Sequence, residues 1–273
     1  MHPILITIGS HSIPTFGPIL VTALIAALIV VGRLGKSQGL NTDRLFDFSV
    51  FLIIVALAGS KILMVITDWH AYWDHPGELL SWSLFQAAGV FYGGFIAAVF
   101  FAWWYTRHHK LPLWKVFDVY APAIAIGQAI GRIGCFMAGD DYGKPTDFAL
   151  HVTFTNPIAH QLGGVPLNVP VHPVQLYESA LTLAIFVYLL RKFRHKAYDG
   201  QIFIAYLSLY AVARFFLEFL RGDEDRGFVF HHLLSTSQFI ALIGLAVAAV
   251  LTWRLRGRTP QDVKNPPAAA KHA

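Results

Sequence analysis

Apolar runs of membrane-spanning length recur along this chain, and no other feature narrows its fold so far. They fall near 14–33, 45–67, 86–106, 117–137, 173–190, 200–220 and 232–253. About 20 apolar residues cross a hydrocarbon core as a helix. The sequence therefore predicts an all-α integral membrane protein with seven transmembrane helices. Composition agrees, with 55% of residues hydrophobic and only 14% charged, where soluble domains carry about 25% charged residues. The opening "MHPILITIGSHSIP" lacks a basic n-region and a small-x-small cleavage site, so no cleavable signal is expected. The single cysteine, Cys135, excludes an intramolecular disulfide. No internal repeat is evident.

Lysine and arginine set the expected orientation. Alternate connections hold Arg33, Lys36 and Arg44, then Arg107, Lys110 and Lys115, then Arg191, Lys192, Arg194 and Lys196. The carboxyl-terminal segment holds Arg254, Arg256, Arg258, Lys264 and Lys271. The opposite connections hold only Lys144, Arg221 and Arg226. This bias predicts an amino terminus outside and a carboxyl terminus in the cytoplasm. Residues 1–258 read as one seven-helix domain, and 138–172, rich in Gly, Pro and Asp, as a small extracytoplasmic arm or lid. Residues 259–273 read as a disordered cytoplasmic tail.

Ionisable residues inside the spans suggest a site. Counted inward from the outer helix ends at about 1.5 Å per residue, Lys61, Tyr92, Arg132 and Arg214 all lie about 8–9 Å deep. Glu218 sits one turn above Arg214, and His172, Gln175 and Glu178 open the fifth span. Charges at such depth are costly, and several at one level argue for a shared polar cavity rather than separate snorkelling. On this count the cavity holds three cations against two carboxylates. Arginine suits bidentate contact with phosphate, so an anionic lipid headgroup entering sideways is the expected ligand. The inner half holds only Asp47 and Asp118, near its edge, which argues against a conduction path.

Each motif also admits a plainer reading. "RFFLEFLRGD", residues 214–223, places Arg214, Glu218 and Arg221 on one helical face, as an ion-pair ladder or as a phosphate site. "HPVQLYES", residues 172–179, puts Pro173 at a first helical position with His172 as N-cap, so His172 is a capping or a catalytic residue. "VFYGGFI", residues 90–96, carries Gly93 and Gly94, which allow close helix packing or close approach of a ligand. Tyr92 also suits an interfacial belt. Gly127 and Gly131 form a GxxxG packing motif, and Cys135 reads as a small packing residue before a nucleophile. None of the 13 histidines has metal-ligand spacing, and there is no GxSxG elbow. Neither a cofactor nor a nucleic-acid partner is expected.

Taken in order, "MHP", "FYGGFI", "GRIGCFMAGDDYG", "HPVQLYES" and "RFFLEFLRGD" resemble the prolipoprotein diacylglyceryl transferase family of bacterial inner membranes. The family signature reads roughly G-R-x-G-N-F-x-N-x-E-x-x-G. Gly131, Arg132, Gly134, Phe136 and Gly143 match it; Asp140 stands for the glutamate, and Cys135 and Ala138 for the two asparagines. Tyr92 stands where well-studied members have histidine, Phe16 where they have tyrosine, and Lys61 where many have arginine.

The resemblance implies transfer of the sn-1,2-diacylglyceryl group from phosphatidylglycerol to the lipobox cysteine of a preprolipoprotein. It implies Arg132, Arg214, Tyr92 and His172 as catalytic residues. Lys61, Gly93, Gly94, Asp140, Gly143, Gln175, Tyr177, Glu178, Glu218 and Arg221 are implied in substrate binding. Two other readings stay open: a paralogue with another acceptor, and a non-catalytic lipid-binding or transport protein.

Overall fold

A computed structural model describes residues 2–8, 11–74, 77, 89–223, 227–229 and 233–256. The expected tail, 259–273, lies outside them, as do residues 86–88 at the start of the third expected span. The described chain is mainly helical. A short hairpin, β1 (Ile4–Ile8) and β2 (His11–Pro14), precedes α1 (Phe16–Ser37). Then come α2 (Thr42–Thr67), α3 (Trp69–Asp74), α4 (Phe91–His108) and α5 (Leu113–Ala138). After β3 (Val152–Thr153), α6 (Pro157–Gly163) and β4 (Pro170–Val171) follow α7 (Val174–Phe193) and α8 (Gln201–Leu217). A hairpin of β5 (Phe228–Val229) and β6 (Leu234–Ser235) leads into α9 (Thr236–Leu255).

Among the described residues, six helices are long and apolar enough to cross a membrane: α1, α2, α5, α7, α8 with its 3-10 extension to Leu220, and α9. At most 33% of any of their most apolar windows is buried by protein. Their outward residues, such as Ile25, Ile54, Leu183 and Val250, are large and apolar, which suits lipid as solvent. The 18-residue α4 is not among the six. Tyr92 and two glycines in its first turn, and Arg107 and His108 in its last, dilute its apolarity.

The described residues between 31 and 116 pack as one unit. Its centre is the contact of α2 with α4, where glycine removes the spacing that side chains impose. A Cβ on Gly93 would meet the Gly59 carbonyl and Leu63, and one on Gly94 would lie 2.8 Å from the Ala56 carbonyl. Tyr105 extends this contact, its ring tilted against Phe48 at 5.3 Å and its hydroxyl donating to the Arg44 carbonyl at 3.2 Å.

The described residues before 31 and from 117 onward form the other unit. Here α8 lies between α7 and α9. The fully buried Asp118, near the start of α5, accepts from the backbone N–H of Gly200 (2.9 Å), Ile202 (2.9 Å) and Phe203 (3.1 Å), and pairs with Lys196 (2.9 Å). It thus caps α8 from another helix, satisfying N–H groups that a helix start leaves unpaired. The expected seam at Gly127 and Gly131 is shifted. Gly127 faces Ala23 and Ala27 at 3.9 Å, but Gly131 has nothing within 4 Å of its open side. Gly134 takes its place, with Phe16 of α1 3.0 Å away, because positions seven apart on a helix share a face.

The segment between α5 and α7 has its own small core. Phe154, Ala159, Val165 and Val171 are buried together, with Phe136, Tyr142 and Leu167 packed against them. It is tied to the end of α8 by Lys144 N–H donating to the Leu220 carbonyl (2.8 Å) and Gly222 N–H to the Tyr142 carbonyl (3.0 Å). Gly143 is required there, since a Cβ would strike the His172 backbone and Val174.

Candidate active site

Four helix ends meet at one level. Arg132 lies in the second-last turn of α5, Glu178 in the second turn of α7, Arg214 in the last turn of α8 and Ser237 in the first turn of α9. The hub is Glu178, which is 2% exposed. Its Oε2 pairs with Arg132, whose Nε lies 3.0 Å away, and accepts from Arg214 Nη1 at 3.5 Å, and its Oε1 accepts from the Tyr210 hydroxyl at 3.0 Å. One buried carboxylate oxygen therefore holds two guanidiniums side by side. Arg214 Nη2 also reaches Glu218 (3.1 Å) and the Ser237 hydroxyl (3.2 Å). α7 is fixed to α5 beside this hub by the Ser179 hydroxyl, which donates to the Ala129 carbonyl at 2.7 Å.

A second carboxylate extends the network. Asp141 bonds Arg132 through one oxygen and Arg221 through the other. Arg221 also holds Asp223, with Nε donating at 2.9 Å. The turn leaving α5 makes this possible: Gly139 (φ 81°) and Asp141 (φ 55°) are both left-handed, a conformation aspartate tolerates better than most residues. Burial alone would raise the Asp141 carboxyl; Arg132 and then Arg221 outweigh it and hold it below its ordinary value. Asp140 moves the other way, raised by burial and by the neighbouring Asp141 charge. Arg221 is raised despite burial by Asp223 and Asp141, so it stays charged.

The network corrects the count of charges made from sequence. Arg132, Arg214 and Arg221 meet Asp141, Glu178, Glu218 and Asp223, so the cluster is not a bare excess of cations. Its carboxylates orient the guanidiniums and leave donors over. Arg132 Nη2 and Arg214 Nε have no hydrogen-bond partner among the described residues.

The remaining sequence-nominated residues fall in several places. Gln175 is 1% exposed one turn before Glu178, its Nε2 donating to the Asp140 carbonyl at 2.6 Å. The Asp140 carboxylate accepts from the Asp141 N–H (2.9 Å) rather than from an arginine. Tyr177 turns to the inter-helix segment, donating to the Leu150 carbonyl at 2.9 Å. His172 is not the N-cap of α7; Pro173 is. Its ring tilts toward Phe148 and Tyr177, and its Nδ1 is buried without a partner among the described residues. Lys61, Tyr92, Gly93 and Gly94 belong to the 31–116 unit. Lys61 is half-buried on α2, and Tyr92 lies edge-on to Phe91 in the first turn of α4. The open sides of Gly93 and Gly94 are filled by α2, so they serve helix packing rather than a ligand on those faces. The Cys135 sulfur lies 3.7 Å from Arg132 Nη1.

Sequence reasoning missed Asp141, Tyr210, Ser237 and Asp223. Tyr210 was findable, since it precedes Arg214 by four residues on α8. Asp141 was not, because which of two adjacent aspartates faces Arg132 depends on the left-handed turn.

Below the cluster, an apolar groove of about 700 Å³ runs between α7 and α8, lined by Leu181, Ile185, Tyr188, Val212, Phe216 and Leu220. Leu181 follows Glu178 by three residues and Phe216 follows Arg214 by two. A charged cluster thus adjoins a groove that suits hydrocarbon.

Comparison with known proteins gives the same direction. The family model described as prolipoprotein diacylglyceryl transferase matches residues 3–254. The phosphatidylglycerol–prolipoprotein diacylglyceryl transferase of Clostridium tetani is 34% identical over 248 residues, covering 90% of this chain and 95% of its own. An enzyme of the same name, numbered 2, from Clostridium perfringens is 31% identical over 261 residues, covering 94% and 98%. One from Trichormus variabilis is 30% identical over 277 residues, covering 97% and 94%. The chain belongs to the prolipoprotein diacylglyceryl transferase family.

Proposed function

We propose that this enzyme transfers the sn-1,2-diacylglyceryl group of phosphatidylglycerol to the lipobox cysteine of a preprolipoprotein signal peptide, forming a thioether and releasing glycerol 1-phosphate. One observation carries the reading beyond family membership: Arg132 and Arg214 share one oxygen of the buried Glu178, next to an apolar groove. A lipid phosphate needs paired guanidinium donors, and its chains need hydrocarbon surroundings.

The reaction makes two demands. The phosphate that leaves with glycerol gains negative charge as its ester bond to the glyceryl carbon breaks. Donors fixed in advance stabilise that charge without reorganising, and Arg132 Nη2 and Arg214 Nε supply them. Glu178, Glu218 and Asp141 hold the guanidiniums in place. The acceptor must react as thiolate, with its proton passing to the neutral imidazole of His172, or leaving to solvent under the field of the arginines. Arg132 and then Arg221 keep Asp141 ionised.

In a bacterial inner membrane, the lysine and arginine bias supports an outer amino terminus and a cytoplasmic carboxyl terminus. With α4 taken as a span, the chain would cross seven times, with the cluster and the 138–172 arm on the outer side. The test is glycerol phosphate release by purified enzyme from phosphatidylglycerol, with a lipobox peptide as acceptor. Release that requires the peptide cysteine, and stops when serine replaces it, supports the reading. Release independent of the thiol contradicts it.

A further inference from the structure

Gln175 has an amide oriented by its surroundings and left half used. Its Nε2 donates to the Asp140 carbonyl at 2.6 Å. A carbonyl oxygen can only accept, so the amide cannot be turned the other way. Its Oε1 must then be the other end, and that atom is buried without a hydrogen-bond partner among the described residues. The whole residue is 1% exposed. A buried acceptor left unmet is a liability that proteins seldom keep.

The position of this acceptor indicates what meets it. Gln175 and Glu178 are three residues apart on α7 and both belong to its buried face, so they stand one turn apart. Glu178 carries Arg132 and Arg214. The residue that Gln175 grips, Asp140, adjoins Asp141, which carries Arg132 and Arg221. The unmet acceptor therefore lies beside the anion site by two separate routes. At the entry to the same helix, His172 Nδ1 is a second buried atom without a partner among the described residues. Two unmet polar atoms within three residues suit a ligand that brings more than one hydrogen-bonding group next to its phosphate.

We infer that Gln175 Oε1 accepts a hydrogen bond from a hydroxyl of the headgroup glycerol, and so selects a polyol-bearing phospholipid. The inference rests on the proposed transferase reading and assigns the part of that lipid which Gln175 reads. The hydroxyl is remote from the bond that breaks, so the contact contributes through binding and placement of the phosphate rather than through chemistry.

The experiment compares phosphatidylglycerol with phosphatidylethanol of the same acyl chains in mixed micelles. The two share charge and phosphate, but phosphatidylethanol has no headgroup hydroxyl. The readout is the ratio of kcat/KM values, using a lipobox peptide and thioether product, for wild type and for Gln175→Met. The expected wild-type ratio is about tenfold to a hundredfold in favour of phosphatidylglycerol, because phosphatidylethanol leaves the acceptor buried and unmet. In Gln175→Met the ratio is expected to fall to within about threefold of unity. A merely structural role would lower both rates and leave the ratio in place, and that result overturns the inference. So does a wild-type ratio near unity, which needs no folded variant to measure. Turnover of neither lipid by wild type would remove the transferase reading, and the inference with it.

Discussion

Arg132→Lys tests the geometry of the cluster more finely than removal of the charge. Arg132 uses Nε for Glu178 at 3.0 Å and Nη1 for Asp141, and in the proposed mechanism its Nη2 takes the phosphate. A lysine retains the charge but offers one point donor in place of a planar fork. It can serve one carboxylate or the phosphate well, not all three. Losing one buried charge-assisted hydrogen bond costs about 1.5–3 kcal/mol. Loss of the phosphate contact, which tightens as charge builds on the leaving group, brings the rise in barrier to about 2–4 kcal/mol. At about 1.4 kcal/mol per tenfold, turnover falls by roughly 30-fold to 1000-fold. Arg132→Ala leaves Glu178 and Asp141 short of a cation, a change of about 3–5 kcal/mol for a buried pair, and should abolish turnover. The assay is the initial rate of glycerol phosphate release in detergent, with gel filtration and thermal unfolding to show that each variant is folded. A folded Arg132→Lys enzyme working at the wild-type rate would refute the reasoning, since a point charge would then suffice.

Other perturbations probe the remaining parts of the site. Glu178→Gln keeps its shape, because the Tyr210 hydroxyl can turn to accept from the amide, but it removes the charge shared by two arginines; kcat should fall by about tenfold or more, and an unchanged kcat would contradict the hub role. Cys135→Ser should keep activity within about threefold, because the sulfur is a weak acceptor for Arg132; loss of turnover in a folded variant would revive Cys135 as a nucleophile. Gly93→Ala drives a methyl into the Gly59 carbonyl and Leu63, so it should destabilise by about 1–3 kcal/mol in the absence of lipid substrate, and an unchanged unfolding temperature would contradict the packing role. The Asp141 carboxyl is held below its ordinary value of 3.8, so its stabilisation is complete above that value and is lost as pH falls further, through the folded-state value. Asp141→Asn should remove this part of the acid limb in a stability-against-pH profile, and an unaltered limb would show that the ion pairs with Arg132 and Arg221 contribute nothing.

What could be read from the sequence follows from which forces act locally. Apolar runs gave α1, α2, α5, α7, α8 and α9 to within a few residues, because a helix in lipid must satisfy its own backbone and face hydrocarbon. The missing precision at the ends has physical causes. "STSQ" at 235–238 forms a capping box that starts α9 at Thr236, four residues later than the apolar run suggests. Arg132, Glu178 and Arg214 were legible because buried charges stand out in apolar surroundings, and helical spacing gave their common depth. The pairing was not legible. Asp141 rather than Asp140 reaches Arg132 because two left-handed residues turn the chain, and no periodicity encodes that turn. Glu218 was expected to orient Arg214 and does contact it, but Glu178 joins Arg214 to Arg132, a contact between helices that sequence spacing does not show. Asp118 read as a boundary residue, whereas it caps α8 from a distance of more than 80 positions along the chain.

The central claim is that the Glu178-held arginines serve diacylglyceryl transfer to a thiol. The most direct measurement is mass spectrometry of a lipobox peptide incubated with the purified enzyme and phosphatidylglycerol of defined acyl chains. The account predicts a mass gain of one diacylglyceryl group, located on the peptide cysteine as a thioether, with wild type and none with Arg132→Ala or Arg214→Ala. An unmodified peptide with folded wild-type enzyme, or full modification by either alanine variant, would contradict it.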